Sequence, residues 1–292
     1  VKQSTHDILT DWCAGRQVVF FPNPGNAGDA LIAAATWQYF DRLGIRPVVT
    51  RPQDFQRGSN LILGGGGNLV PHYRSMADAL EACLARDVAR CLLLPHSIRG
   101  HEALLSSLDG RFTVVCRELA SLEHVRKHAP RAISLLADDM AMGLDFDALK
   151  QLTSSLRHRL ALVLDRSWRK RGRKWRRALA RMGPDSEGRL TILRSDFESA
   201  SGVRGSPEHD LPKHYSTQCR HRAGCEQVAM DIHTLLLKAR KVRTDRLHIA
   251  LPAALLGLEV EILDNNYGKL SAVWETSLAA GYPKVRIVAP NL

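Results

Sequence analysis

Arg246 and His248 stand two positions apart at the head of an otherwise apolar run, RTDRLHIALPAALLG (243–257). An arginine carries a permanent charge on a planar fork of donors that matches phosphate and carboxylate, and a histidine trades protons near neutral pH. Together they supply what a reaction on a small anion needs, one group to hold it and one to move the proton. Asp245 beside them reads as a helix cap or an orienting carboxylate, and Leu247, between them in the chain, is counted with the substrate-binding positions. Similar residues recur upstream. Arg117 and Glu118 follow FTVVC, His96 and Ser97 follow CLLLP, and Asp138 and Asp139 follow ISLLA. Asn26, Gly28 and Asp29 lie in NPGNAGD, and Gly64 to Gly67 with Asn68 in LILGGGGNL.

Each has a plainer reading beside the chemical one. Asp29 suits a helix cap, with Asn26 next to it. Gly65, Gly66 and Gly67 suit a tight turn, or amides turned toward an anion with Asn68 alongside. His96 alone reads as a hydrogen-bonded edge histidine, and Asp138–Asp139 as an acidic turn before it reads as a cation site. Arg117 and Arg246 each precede a helix, where a cation opposes the dipole, and an anionic ligand would supply the reason. Two such arginines from different domains would clamp one phosphate or carboxylate, with His248 close enough to exchange a proton.

What positions these residues is a β/α rhythm. VVFFP (18–22), NLILGGGG (60–67), CLLLPHS (91–97), FTVVCRE (112–118) and ISLLADD (133–139) read as strands, and DALIAAATWQYFDRLG and ELASLEHVRKH as helices. In the second half, LALVLD (160–165), RLTILRSD and LEVEIL (258–263) read as strands, 199–224 as a long loop, and EQVAMDIHTLLLKA as a helix. Strands alternating with helices predict parallel sheets covered on both faces. The fold class is therefore α/β, two Rossmann-like doubly wound domains facing a cleft, 1–145 and 158–292, with 146–157 as the connection. Ligands of such sheets sit beyond the carboxyl ends of the strands, where these polar and glycine residues collect.

The 292 residues are 45% hydrophobic, enough for a packed core and against general disorder. The net charge of +11 points to anionic partners without choosing among them. Six scattered cysteines read as reduced, buried thiols and so as a cytoplasmic protein, with no signal peptide visible. Cys219 and Cys225, near His214 and His221, match no common zinc module, and no metal is expected. No apolar stretch reaches the roughly 18 residues that span a bilayer. One run, RSWRKRGRKWRRALAR (166–181), concentrates positive charge, with Trp168 and Trp175 on one helical face and Gly172 weakening the helix. It reads as a contact for an anionic membrane surface with the indoles at headgroup level, which would make the protein peripheral at the inner membrane face. The alternatives are a solvated basic face with packed tryptophans and, last, a nucleic-acid surface.

With these motifs in hand, the sequence resembles the polysaccharide pyruvyl transferase family. The resemblance rests on GNAGDALI, LILGGGGNL, Arg117–Glu118 followed by Ser121, and TDRLHIALPAALLG, and it runs from about Val18 to about Leu263. It implies a GT-B-like arrangement and transfer of pyruvate from phosphoenolpyruvate onto two hydroxyls of one sugar as a cyclic ketal. It further implies that Arg117 and Arg246 hold the phosphate and carboxylate of the donor and that His248 is the acid/base. Asp29 and His96 would lie near the acceptor or the donor carbon. Phosphoenolpyruvate is then a substrate, no cofactor is needed, and the acceptor is a surface-glycan precursor such as a lipid-linked oligosaccharide. The competing readings are a sugar-nucleotide glycosyltransferase of similar architecture and a nucleic-acid-binding protein. The second explains the basic run but not the glycines, the strand-end arginines or His248.

Overall fold

The computed structural model describes residues 1–199, 205–215, 221–265 and 268–289. It divides into two compact units, Val1–Pro24 with Ala35–Gly143, and Gly25–Ala34 with Leu144–Leu292.

The first part of the chain forms α1 (Thr5–Cys13), β1 (Val19–Phe21), α2 (Ala27–Arg42), β2 (Val48–Val49), β3 (Asn60–Leu63), β4 (Gly66–Leu69) and α3 (Ser75–Ala85). It continues through β5 (Arg90–Ile98), α4 (Glu102–Ser107), β6 (Phe112–Cys116), α5 (Leu119–His128) and β7 (Ile133–Leu136). The sheet runs β2-β1-β3-β5-β6-β7, with β4 paired to the end of β5, and the pairs are parallel. From β1 the chain goes outward to β2 and then back across to β3, so the winding reverses at the β1–β3 pair. Such a reversal opens a crevice at the carboxyl ends of the two strands. Consecutive residues of the central strands point to opposite faces, and both faces are buried: Leu61, Ile62, Leu63, Leu92, Leu93, Val114 and Val115 are all in the core. Where β3 ends, a Cβ on Gly64 would stand 2.5 Å from the backbone nitrogen of Asn23, so only glycine lets the two strand ends pass.

The second part forms α6 (Phe146–Ser154), α7 (Leu156–Leu164), α8 (Arg166–Ala180), β8 (Arg189–Ile192), α9 (Arg222–Leu236) and β9 (Lys241–Thr244). It ends with α10 (Leu247–Leu255), β10 (Glu259–Leu263), α11 (Lys269–Val273) and β11 (Val285–Val288). Its parallel sheet has the order β11-β10-β9-β8. The α/β class and the parallel sheets agree with the sequence reading.

Several elements do not. Residues 146–157, expected as a connection, are α6 and the start of α7. LALVLD, expected as a strand, is the end of α7, which Ser155 caps by accepting from the His158 amide at 3.2 Å. An apolar run this short has no period that separates strand from helix, and here the cap decides. The helix expected from Glu226 starts at Arg222. α1, α3, α4, α11, β2, β4 and β11 were not anticipated, β2 and β4 because they are short and glycine-rich or exposed. Cys13, Cys83, Cys91, Cys116 and Cys225 are free and buried, and burial pushes the Cys13 thiol up to about 11. Cys219 lies outside the described residues. Among the described residues no helix is long and apolar enough to cross a membrane.

Candidate functional site

In the first unit the strand-end residues form two knots. Arg117 is 1% exposed, donates from Nε to Ser97 Oγ at 2.9 Å, and pairs through Nη1 with Asp139 at 2.6 Å. The cation before α5, for which the sequence reading offered an anionic ligand as the reason, is answered by a carboxylate of its own unit. Glu118 caps α5 by accepting from the Ser121 amide at 2.9 Å, and it accepts from Arg99 Nη1 at 2.9 Å. Ser121 Oγ in turn accepts from the Ile98 amide at 2.7 Å. The Arg117–Glu118–Ser121 motif therefore ties the end of β5 to the start of α5. Asp139 is committed to Arg117 and to the Ala141 amide at 2.8 Å, and Asp138 to Lys2 at 2.9 Å.

The other knot gathers around Asn68. Asn23 Nδ2 donates to Asn68 Oδ1 at 2.9 Å and Asn68 Nδ2 donates back to Asn23 Oδ1 at 2.9 Å. Asn68 also donates to Ser75 Oγ at 2.7 Å, and Asn23 to the Gly65 carbonyl at 3.1 Å. His96 Nε2 lies 3.0 Å from Asn68 Oδ1. Gly66 and Gly67, expected as a turn or anion nest, open β4, with Gly66 in register with His96. Asn23 is the member that sequence reasoning missed; an asparagine two residues beyond β1 gives no signal until Asn68, 45 residues on, is seen to pair with it.

His96 is fully buried, and its Nδ1 has no hydrogen-bond partner among the described residues. Burial, and after it the Arg117 charge, lowers its pKa to about 3. A base whose folded pKa is depressed binds its proton first in the unfolded chain, so stability falls as pH drops below the ordinary histidine value toward 3. Across that window His96 should cost about 1.4 kcal/mol per pH unit. His96→Gln should flatten this slope. Urea unfolding at several values between pH 7 and pH 4 checks it, and equal slopes in the two proteins would contradict it.

In the second unit the first turn of α2 closes a capping box. Asn26 Oδ1 accepts from the Gly28 amide at 2.7 Å, and Asp29 Oδ2 accepts from the Asn26 amide at 2.8 Å. Both side chains thus serve the helix start, the plainer of their two sequence readings. A Cβ on Gly28 would stand 2.6 Å from His248 Nδ1, so the imidazole rests against this turn and a larger residue there would displace it.

His248 belongs to the turn from β9 into α10, whose first turn is kinked at His248 itself, φ −82 and ψ 16. Within 244–250 it alone is not buried. Thr244 holds the turn by donating to the Ile192 carbonyl at 2.6 Å and accepting from the Arg246 amide at 3.0 Å. Leu247, expected at the substrate, is core at 4% exposure. Asp245 is an orienter: it accepts from the Arg194 amide at 2.7 Å and from Ser199 Oγ at 3.3 Å, fixing the segment after β8.

Arg246 is 6% exposed. Its Nε donates to Asp210 Oδ1 at 3.0 Å, and its Nη2 reaches both Asp210 and, at 3.1 Å, Asp196. Arg194 pairs with Asp196 at 2.8 Å and Glu198 at 2.6 Å, and Lys269 with Glu198 at 2.9 Å. Burial would raise Asp196, but the hydrogen bond and charge of Arg194, and then the Arg246 charge, hold it at about 2. The sequence reading paired no acid with Arg246, and the structure adds Asp210 and Asp196, which aim its guanidinium. None of Asp196, Glu198 or Asp210 was expected, since loop acids 36 to 50 residues away carry no local pattern.

Elsewhere, Glu102, His124 and His128 bring ligand-type atoms within 4.8 Å of one another. His124 and His128 are one helical turn apart on α5, but Glu102 comes from α4, so the set was not read from the sequence. The basic run forms the unbroken helix α8. Its tryptophans are core, Trp175 at 0% and Trp168 at 7% exposure, and Trp175 Nε1 donates to Asp231 Oδ2 at 2.9 Å. The indoles cannot sit among headgroups. Gly172 breaks nothing, because its bare backbone is what the Trp168 ring packs against.

A profile of polysaccharide pyruvyl transferases matches residues 26–266. The chain is also similar to a functionally uncharacterised protein of Klebsiella pneumoniae subsp. pneumoniae NTUH-K2044, known from its crystal structure, with a TM-score of 0.76 and 26% identity over 97% of this chain and 96% of that one. Among curated proteins nothing matches. The profile spans NAGD, the glycine-rich β3–β4 segment, the Arg117–Glu118 motif and the Arg246–His248 turn, and the chain belongs to the polysaccharide pyruvyl transferase family.

Proposed function

We propose that the protein transfers the pyruvyl group of phosphoenolpyruvate onto two hydroxyls of one sugar in a surface-glycan precursor, on the cytoplasmic side. The observation that supports this reading most is the β9–α10 turn, where His248 alone escapes burial, two residues from an arginine aimed by Asp210. His248, protonated, gives its proton to the methylene carbon of the donor, which becomes the methyl group. The adjacent carbon takes electron density from the first sugar hydroxyl as the carbon–oxygen bond forms, and that hydroxyl's proton returns to His248. The second hydroxyl attacks the same carbon, the bond to phosphate breaks, and the last proton leaves with phosphate. Atoms balance: two hydroxyls and phosphoenolpyruvate give the ketal and inorganic phosphate.

The role proposed for Arg246 is to hold the donor's anionic group. Among the described residues its contacts run through Nε and Nη2, and Nη1 is the edge proposed for the ligand. The carboxylates keep the guanidinium in one orientation, which removes the cost of ordering it on binding. Arg246→Lys keeps the charge beside Asp210 but loses the fork. Calorimetric titration with phosphoenolpyruvate should show saturable binding that weakens at least about tenfold in Arg246→Lys, as expected when charge-assisted hydrogen bonds are lost. Saturable binding of UDP-glucose in place of phosphoenolpyruvate would overturn the reading in favour of a sugar-nucleotide glycosyltransferase. So would failure of phosphoenolpyruvate to bind both with and without glycan acceptors.

A further inference from the structure

We propose that α7 and α8 together form a docking surface for an anionic lipid bilayer, independently of the reaction assigned above. The first observation is an apolar stripe that none of the described residues covers. In α7, Leu156, Leu160, Val163 and Leu164 are 73%, 55%, 63% and 78% exposed. Their spacing puts all four on one helical face. The opposite face carries His158, which is buried and lies 3.4 Å from Glu226 of α9. α7 is therefore anchored by its back and presents its leucines outward. Arg157 and Arg159, both exposed, flank the stripe on either side. An outward apolar stripe bordered by arginines is the pattern of a helix lying in a membrane interface, apolar side chains among the acyl chains and guanidinium groups among the phosphates.

The second observation says which occupant fits. One residue, Asp165, separates α7 from α8. Between Arg166 and Arg181 there is no acidic residue. With both tryptophans turned into the core, the cations of α8 fall on the opposite face: Arg166, Arg169, Lys170, Arg173, Lys174 and Arg177 are all exposed. Two grooves on this face, about 680 and 500 Å³, share Lys170 and Arg173. A second copy of the chain would meet this face with the same positive charge and be repelled. A nucleic acid would use the cations but leave the four aliphatic side chains in water, with no exposed aromatic on α8 for a base to stack on. An anionic bilayer satisfies both features at once, phosphates for α8 and hydrocarbon for α7.

The test is flotation of the 292-residue chain with vesicles of phosphatidylcholine alone and of phosphatidylcholine with about 30% phosphatidylglycerol. Binding is expected to the anionic vesicles and to fall steeply with salt. Each basic residue at a membrane surface is worth about fivefold in affinity, so Arg169→Glu/Arg173→Glu should lose at least about 25-fold. Leu160→Ser/Leu164→Ser should lose about tenfold or more with the charge untouched. These positions are exposed, so both variants should keep the parent's circular dichroism and melting temperature. Vesicle binding unchanged by the leucine variant would overturn the proposal, as would equal binding to neutral vesicles. Light scattering that shows a dimer dissolved by the leucine variant would assign α7 to a second copy instead. Tighter binding to a single-stranded oligonucleotide than to anionic vesicles would assign α8 to nucleic acid.

Discussion

His248→Asn is expected to lower turnover by about 10²- to 10⁴-fold, the usual contribution of a positioned general acid, while phosphoenolpyruvate still binds within a few-fold of the parent. The substitution suits the site. His248 is half-buried, and the first turn in which it lies is held by Thr244 and Asp245, so the fold should survive its loss. Asparagine is close in size and rests on Gly28 much as the imidazole does, yet it cannot take up and return a proton. Steady-state kinetics separate the roles: a proton donor lowers kcat with little change in KM, and its titration limb disappears from the pH–rate profile. Full activity in a folded His248→Asn protein would remove it from the mechanism.

Arg117→Met is expected to destabilise the protein by about 3–5 kcal/mol, because it strands the buried Asp139 carboxylate without its partner. Asp139 is 1% exposed and still accepts from the Ala141 amide when the guanidinium is gone. The informative comparison is Arg117→Met with Asp139→Asn. The amide keeps an acceptor for Ala141 and carries no charge, so the double variant should regain most of the lost stability in urea unfolding. If Arg117 also holds a donor anion, the repaired protein will fold and still bind phosphoenolpyruvate weakly. If its work is structural, binding will return with stability. A single variant as stable as the parent would contradict the buried ion pair.

Much of the fold was legible because burial writes itself into strands. β1, β3, β5 and β6 each carry a run of buried apolar residues, and the polar residues Arg99 and Arg117 follow β5 and β6 directly, at the carboxyl ends of the parallel sheet. α7 was misread for the same reason, since leucine and valine in a short run look alike on a buried strand and on an exposed helix. Near the candidate site, the helix start at Asp29 was readable, and the structure adds Asn26 as its reciprocal partner. The partners of the arginines were not readable. Asp139 for Arg117 and Asp210 for Arg246 are set by which loops tertiary packing brings together, 22 and 36 residues apart. Hence the two arginines were read as open, whereas each has a carboxylate of its own unit beside it.

α2 has a consequence for how the protein is made. Residues 25–34 belong with Leu144–Leu292, yet they precede the rest of the first unit in the chain. A ribosome therefore releases the cap of α2, Gly28 included, more than a hundred residues before the strands it must join exist. Neither unit can be produced by one cut of the gene: a fragment from Leu144 onward would lack the turn that His248 rests on. Folding of the second unit has to recruit an early segment late, and that long-range closure is the step at which the nascent chain is most exposed to misassembly.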